Sequence, residues 1–463
     1  MRQLENVVLV EFNPALPSAG SQFVMPRHGA LTVGSKLKEA GYNVTYLYEP
    51  LVDEITSKKI MSFNPDLVAF TAISPAISKV ESVARELSNE GVEILLGGEH
   101  ASITPGSVDF ADYIIVKEGE QIAVQLLEAL KNEKSIDNIP NLIHRQNGGY
   151  VENASIEPSQ LPFDYKYDLN IVEGFSSMTW FQRQILKLPL QTTRGCPRVC
   201  NFCVTEDLFG KGYRRREFEP VLLDIEEGLK YDANSFMVVD NSFGMGKKTN
   251  LLEAIISEDY GAKLTALVTA DVSKNRHVVE LMRRAGITNV SLGIESTDND
   301  VLTELNKSQE INDVIEAIKV FHDHGISVLG LFMVGANYDT VDTVRRIPDF
   351  ALENNIDKIQ IASLTFLPPP SRQSSNGYNL IPGIPFDYYN GHFVTLFPQN
   401  MRPSVMQREI GDAYDKFYSV PNTLSAITHA GRGVNALRGK AAVGYVMRKI
   451  IGESVREQGH IEF

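Results

Sequence analysis

All three cysteines of the chain fall in one short segment, Arg194-Gly195-Cys196-Pro197-Arg198-Val199-Cys200-Asn201-Phe202-Cys203. Thiolates at x3 and x2 spacing can wrap one corner of a cubane iron–sulfur cluster. Such clusters ordinarily take four cysteines. With only Cys196, Cys200 and Cys203 present, one iron is left open to a substrate or cofactor. The competing chemistry is structural zinc on three cysteines and one histidine. Structural zinc sites usually pair C-x2–4-C turns that lie tens of residues apart. Here the ligands make one tight loop with no histidine close by in sequence, which favours the cluster. Three clustered cysteines in 463 residues also argue against a secreted disulfide framework.

Such a loop needs rigid elements behind it. Leu186–Thr193 reads as a strand running straight into the cysteines, and it opens a βα series. Later strands are expected at Phe236–Val239, Leu264–Val268, Asn289–Ile294, Val328–Val334 and Ile359–Phe366, with helical patterns between them. About six βα units predict a partial TIM barrel, (β/α)6, over 185–370, open where an eight-stranded barrel would close. Residues 1–135 carry an earlier α/β series, with strands at Val7–Phe12, Val44–Tyr48, Leu67–Ile73, Ile94–Gly98 and Tyr113–Val116. That pattern predicts a doubly wound, Rossmann-like parallel sheet whose ligand lies at the carboxyl ends of the strands. Residues 136–184, with Pro140, Pro158 and Pro162, read as a linker. Residues 371–463 read as a mostly helical C-terminal region, with helices at Ser404–Tyr418 and Ala436–Ile451. Tyr378, Tyr388, Tyr389, His392 and Arg402 are expected to line or cover the open barrel end.

Composition excludes several classes. The hydrophobic fraction of 43% and charged fraction of 22% are those of a globular chain. The net charge of −14 disfavours nonspecific binding to nucleic acid or an anionic membrane. No stretch reaches the ~18–20 apolar residues of a membrane span. The start, MRQLENVVLVEFNP, has no secretory core, so a cytoplasmic location is expected.

C-x3-C-x-aromatic-C after the first strand of a partial barrel resembles the signature of the radical S-adenosylmethionine (SAM) superfamily, with Phe202 as its aromatic. The resemblance implies a [4Fe–4S] cluster on Cys196, Cys200 and Cys203 whose open iron chelates the amino and carboxylate groups of SAM. One-electron reduction, from a donor such as flavodoxin or ferredoxin, would then cleave SAM to methionine and a 5′-deoxyadenosyl radical. Asp240-Asn241-Ser242-Phe243 matches the stretch that the family sets near the SAM amino group. Gly293-Ile294-Glu295-Ser296 resembles its ribose-binding motif, with Glu295 accepting from sugar hydroxyls and Ser296 donating or accepting. Gly330-Leu331-Phe332-Met333-Val334-Gly335 resembles the fifth-strand motif near adenine. Taken singly, the glycine-bearing stretches are also ordinary strand ends. Arg214 and Arg216 match a basic stretch in relatives, or form a solvated charged face.

The first domain resembles the cobalamin-binding domain that precedes the barrel in one branch of that superfamily. The resemblance rests on Pro65-Asp66-Leu67-Val68, Gly97-Gly98-Glu99-His100, Thr104-Pro105 and the run from Asp112 to Glu120. It implies cobalamin held by Thr71, Ser74, Gly97, Gly98, Glu118 and Gly119. Adjacent glycines let a flat macrocycle or its nucleotide tail approach the backbone, and the Thr71 and Ser74 hydroxyls can bond the tail. Glycines that simply serve turns are the alternative. The D-x-H-x-x-G motif of many such domains, whose histidine ligates cobalt, is missing. His28 is the imidazole of the loop in question, and ordinary loop structure is expected for it.

Together the two cofactors imply a cobalamin-dependent radical SAM methyltransferase acting on an unactivated carbon of a small molecule. One SAM would methylate cob(I)alamin, and a second would yield the radical. The substrate radical would then take the methyl group from methylcobalamin. Ring formation or rearrangement, hydroxylation and aminocarboxypropyl transfer are alternatives on the same architecture. A cobalamin- or cluster-based redox sensor is the non-enzymatic alternative, although a sensor would not need Asp240, Glu295 and Gly335 in SAM-binding order. Neither the substrate nor a catalytic acid or base is readable.

Overall fold

The computed structural model describes residues 3–18, 23–158, 161, 163, 165–244, 249–367 and 377–422. Its first sheet has seven strands in the order β2-β1-β3-β4-β5-β6-β7. These are β1 (Asn6–Glu11), β2 (Asn43–Tyr48), β3 (Leu67–Thr71), β4 (Glu93–Gly97), β5 (Tyr113–Ile115), β6 (Leu142–Gln146) and β7 (Gly149–Glu152). The first five are parallel. Their Val-, Ile- and Leu-rich runs are buried on both faces, as parallel sheets covered by helices require. The order reverses between β1 and β3, and such a reversal opens a crevice at the strands' carboxyl ends.

The second sheet is also parallel, in the order β15-β14-β13-β12-β11-β8. Its strands are β8 (Leu188–Leu190), β11 (Ser235–Val238), β12 (Lys263–Val268), β13 (Ile287–Glu295), β14 (Ser327–Val334) and β15 (Lys358–Ser363). The run expected as one strand, Leu186–Thr193, divides. Its first part is β8, and the chain then leaves the barrel as β9 (Thr193–Cys196), which pairs with β10 (Gly212–Arg215) in a two-stranded sheet. One outer strand of the barrel sheet, β15, is protected from edge pairing. The Tyr418 hydroxyl accepts from Ile359 N (3.0 Å) and Tyr414 Oη from Ile361 N (2.6 Å), and both donate back to the same residues' carbonyls. Both tyrosines come from the helix Pro403–Phe417 and its C-cap.

The stretch expected as a linker is structured in two ways. β6 and β7 form a hairpin that extends the first sheet antiparallel to β5. Farther on, Tyr167, Leu169, Ile171, Val172, Phe175 and Met178 are buried in a core cluster shared by both domains. These side chains are too apolar to lie in water, so the segment wedges the domains together. The expected helix Ala436–Ile451 lies outside the described residues. Among the described residues no helix is long and apolar enough to cross a membrane.

Candidate active site at the domain junction

The cysteine loop is the connection of the β9–β10 hairpin. Gly195 has φ +83°, and a side chain there would bring its Cβ to 2.5 Å from Gly212 O across the hairpin, so only glycine fits. Asp240, just past β11, fixes the start of the hairpin. Its buried carboxylate accepts from Thr192 N (2.6 Å), Thr192 Oγ1 (2.5 Å) and Thr193 N (2.9 Å). Asn241 accepts from Gly195 N (3.2 Å) and donates to Thr205 Oγ1 (3.1 Å), the hydroxyl that also accepts from the Cys203 thiol (3.0 Å). Asp240 and Asn241 thus bind the protein's own cluster loop, a role that their type and position alone did not reveal.

A second anchor comes from the segment 304–308, which the sequence reading had not singled out. Leu305 O accepts from Asn201 N and Glu304 O from the Asn201 amide, while Asn306 donates to Val199 O. Arg198 reaches Ser308 O (3.1 Å) and Asp271 (2.9 Å). Lys307, in the middle of this clasp, pairs with Glu295 at 2.6 Å, and both side chains are largely buried. Glu295 ends β13 with φ +65°. Burial pushes the Cys196 and Cys200 thiols up from their ordinary value, and at Cys200 the charge of Lys307 acts in the opposite direction. Among the described residues no three such side chains lie close enough to hold one metal ion. A cubane instead offers separate irons to separate thiolates, so the three cysteines fit the cluster.

Phe202 packs with Met333 against Leu305 and Ala336 on one side and Leu364 and Phe366 on the other, which carries the loop over the ends of β14 and β15. Gly335 follows β14 and donates its N–H to Asp339 (2.8 Å). Ser296 Oγ accepts from Asp298 N (3.1 Å).

Next to the hairpin, a cavity of about 280 Å³ opens at the carboxyl ends of the first sheet. Thr71, Gly97, Gly98, Ser102, Glu118 and Gly119 line it, and Gln191 and Arg194 close it from the barrel side. A Cβ on Gly97 would meet open space, so a ligand can approach the backbone there. Gly98 differs. Its φ is +98°, and a Cβ would strike Ala72 O at 2.7 Å, so its glycine serves the β3–β4 crossing. Ser74 does not line the cavity. It is buried with its hydroxyl 2.9 Å from His100 Nδ1, and Ser102, in the short helix Glu99–Ile103 after β4, takes the place by the cavity. Glu118 lines the cavity, but its carboxylate is engaged by Arg194 (2.8 Å) and Arg214. The open glycine face, the hydroxyls and the position at a strand-order reversal fit a nucleotide-bearing macrocycle.

The alternative of a solvated charged face for Arg214 and Arg216 does not hold, since Arg214 pairs with the buried Glu118. Arg216 is fully buried and pairs with Asp224 at 2.6 Å. His28 begins the helix His28–Glu39 and so is not loop. It lines the cavity wall, edge-on to Tyr167 (6.0 Å) and 3.9 Å from Asp224. Burial holds its imidazole below the ordinary range despite Asp224.

Family models match two stretches of the chain: the B12 binding domain over 18–127 and the radical SAM superfamily over 190–351. Among curated relatives, the anaerobic magnesium-protoporphyrin IX monomethyl ester cyclase of Rubrivivax gelatinosus is 27% identical over 83% of this chain and 70% of its own. The bacteriochlorophyllide d C-8(2)-methyltransferase of Chlorobaculum tepidum is 23% identical over 85% of each. The solved radical SAM methyltransferase TsrM of Kitasatospora setae, with cobalamin and a [4Fe–4S] cluster bound, shares the fold at a TM-score of 0.73. It is 16% identical, and the match covers 97% of this chain and 100% of that one. With its cysteine hairpin set against the cavity of the first domain, this chain joins an N-terminal B12-binding domain to a radical SAM domain, and the cofactors of that pair are a [4Fe–4S] cluster, SAM and cobalamin.

Proposed function

We propose that this chain is a cobalamin-dependent radical SAM methyltransferase acting on a carbon of a small molecule. One observation carries the reading. The cavity of the first domain opens directly onto the hairpin that holds the cysteines, through Gln191, Arg194, Leu208 and Phe209. Both cofactors can therefore reach one substrate carbon. The cluster, SAM and cobalamin supply a carbon radical and a transferable methyl group when bound. The chain's residues hold and orient them. Cys196, Cys200 and Cys203 carry the cluster on a loop fixed by Asp240, Asn241 and the 304–308 clasp. Glu295, Ser296, Gly335 and Phe202, at the carboxyl ends of the barrel strands and on the cysteine loop, would contact SAM. Thr71, Gly97, Ser102 and Gly119 border the cobalamin cavity. A low-potential donor such as flavodoxin or ferredoxin would supply the electron.

Ring formation is a second reading, favoured by the cyclase to which the chain is similar over 83% of its length. The test is SAM turnover by anaerobically reconstituted protein with hydroxocobalamin and a strong reductant, using methyl-labelled SAM. Label on the cobalamin, with S-adenosylhomocysteine and 5′-deoxyadenosine both formed, is expected. Formation of 5′-deoxyadenosine with no label on cobalamin favours the ring-forming reading. About four irons per chain are expected, and the cluster's visible absorbance should vanish when the three cysteines become alanine. Stoichiometric zinc without iron would sink both readings.

A further inference from the structure

The hairpin that carries the cysteines is weak when taken alone. β9 and β10 form a two-stranded sheet separate from the barrel, and an isolated hairpin is at best marginally stable in water. Its register sets Arg194 directly across from Arg214. Like charges facing each other across strands are destabilising. The other domain neutralises them. Glu118 accepts from Arg194 through Oε2 (2.8 Å) and from Arg214 through Oε1, while Glu120 takes the second terminal nitrogen of Arg194. Phe163 lies under both guanidinium groups, at 4.5 and 5.4 Å. Thr32 donates to Glu120, and Gln191 accepts from Arg194 Nε. Two acids and two bases balance at the buried junction. Glu118, Glu120 and Arg194 also line the cavity of the first domain. Only Gly195 separates Arg194 from Cys196.

We propose that Glu118 and Glu120 are positioning residues that couple the two cofactor sites. Through Arg194 and Arg214 they hold the cluster hairpin closed, so occupancy of the B12-domain cavity tightens SAM binding at the cluster. This rests on the proposed binding of cobalamin in that cavity. A ligand there confines Glu118-Gly119-Glu120 against the arginines and orders the hairpin before SAM arrives. The second ligand then meets a loop already ordered, which is positive cooperativity without a large rearrangement. Linkage requires SAM to tighten cobalamin by the same factor.

The test measures SAM dissociation constants of cluster-loaded protein with and without saturating hydroxocobalamin. In the wild type hydroxocobalamin should tighten SAM by about fivefold or more. In Glu118→Gln the ratio should fall to near one. Glu120→Gln leaves the Glu118 bridge in place and should show an intermediate ratio, and it serves if the first variant fails to fold. A purely structural role would weaken SAM equally in both states and keep the ratio. A wild-type ratio of one with both ligands bound, or a full ratio in both variants, overturns the proposal. Failure of wild type to bind hydroxocobalamin at all overturns the cofactor assignment itself, and the coupling with it.

Discussion

Gly97 and Gly98 are neighbours with opposite reasons for being glycine. Gly98 sits at positive φ, with Ala72 N and O within 2.8 Å of any Cβ. Gly98→Ala should cost about 2–4 kcal/mol in denaturant unfolding, combining backbone strain with overpacking. Gly97 faces empty space. Gly97→Ala should leave stability within about 0.5 kcal/mol, yet weaken hydroxocobalamin in a spectral titration because the methyl intrudes on the cavity. Equal loss of stability in both variants would remove Gly97 from the binding surface. Glu295 gives the second contrast. In the proposed role of ribose acceptor, with Lys307 paired to it, replacement of Glu295 by alanine should raise the SAM dissociation constant roughly ten- to hundredfold. Unchanged SAM affinity would place the ribose elsewhere. At this scale the sequence showed which residue types are present and in what order, but not their partners. Nothing in the letters distinguishes Ser74, turned to His100, from Ser102 beside the cavity. Lys307 had no motif to announce it. It matters because a loop from far along the chain folds back onto the cysteines.

Elements were legible where hydrophobic period and length agreed, and less so at their ends. The parallel strands of both sheets follow continuous apolar runs, the strongest pattern available. The β6–β7 hairpin was read as linker although Asn147-Gly148 joins its strands, both residues at positive φ, and that pair is a strong short hairpin signal. Its strands are short, with two of the five residues of β6 and three of the four of β7 exposed, so no buried face stood out. The split between β8 and β9 was hidden because only Gln191 and Thr192 separate them, with no glycine or proline to mark the break. The passage from β14 into the helix Val341–Glu353 carries a pH-dependent strain. Asp339 accepts from Gly335 N, Ala336 N and the Thr343 hydroxyl, yet burial pushes its carboxyl from 3.8 to about 6. Between those values the folded state keeps a proton that the unfolded chain has released, so stability falls as pH rises through the window. Asp339→Asn preserves the acceptor for the two N–H groups and cannot ionise. Its stability relative to wild type should grow by on the order of 1 kcal/mol between about pH 5 and pH 8. A difference that stays flat with pH would place the ionised carboxylate in a better solvated setting.

At the scale of the molecule the two domains act as one body around their junction. Their core cluster is continuous, and residues after 377 return to the first domain: Asp387 accepts from Ser78, and Phe386 stacks edge-on against His100. His28 stands where the first helix, the segment around Tyr167 and the barrel helix Phe218–Leu229 converge. Its environment decides whether it can serve cobalt. The ring is wedged against Tyr167 and faces Asp224, which Arg216 already neutralises, and Arg194 disfavours any proton on it. Leaving that place would open a hole beside Tyr167 and leave the interface helix unsupported at its first turn. We therefore expect His28 to stay in the interface and not to ligate cobalt. Electron paramagnetic resonance of the protein loaded with cobalamin and reduced to cob(II) tests this, because a coordinated nitrogen splits the high-field lines into triplets. Wild type and His28→Ala should give the same high-field pattern, while the variant unfolds at lower denaturant because the interface has lost a packed ring. Triplets present in wild type and missing from the variant would make His28 the lower ligand, and would mean that the helix His28–Glu39 shifts toward the cavity when cobalamin binds.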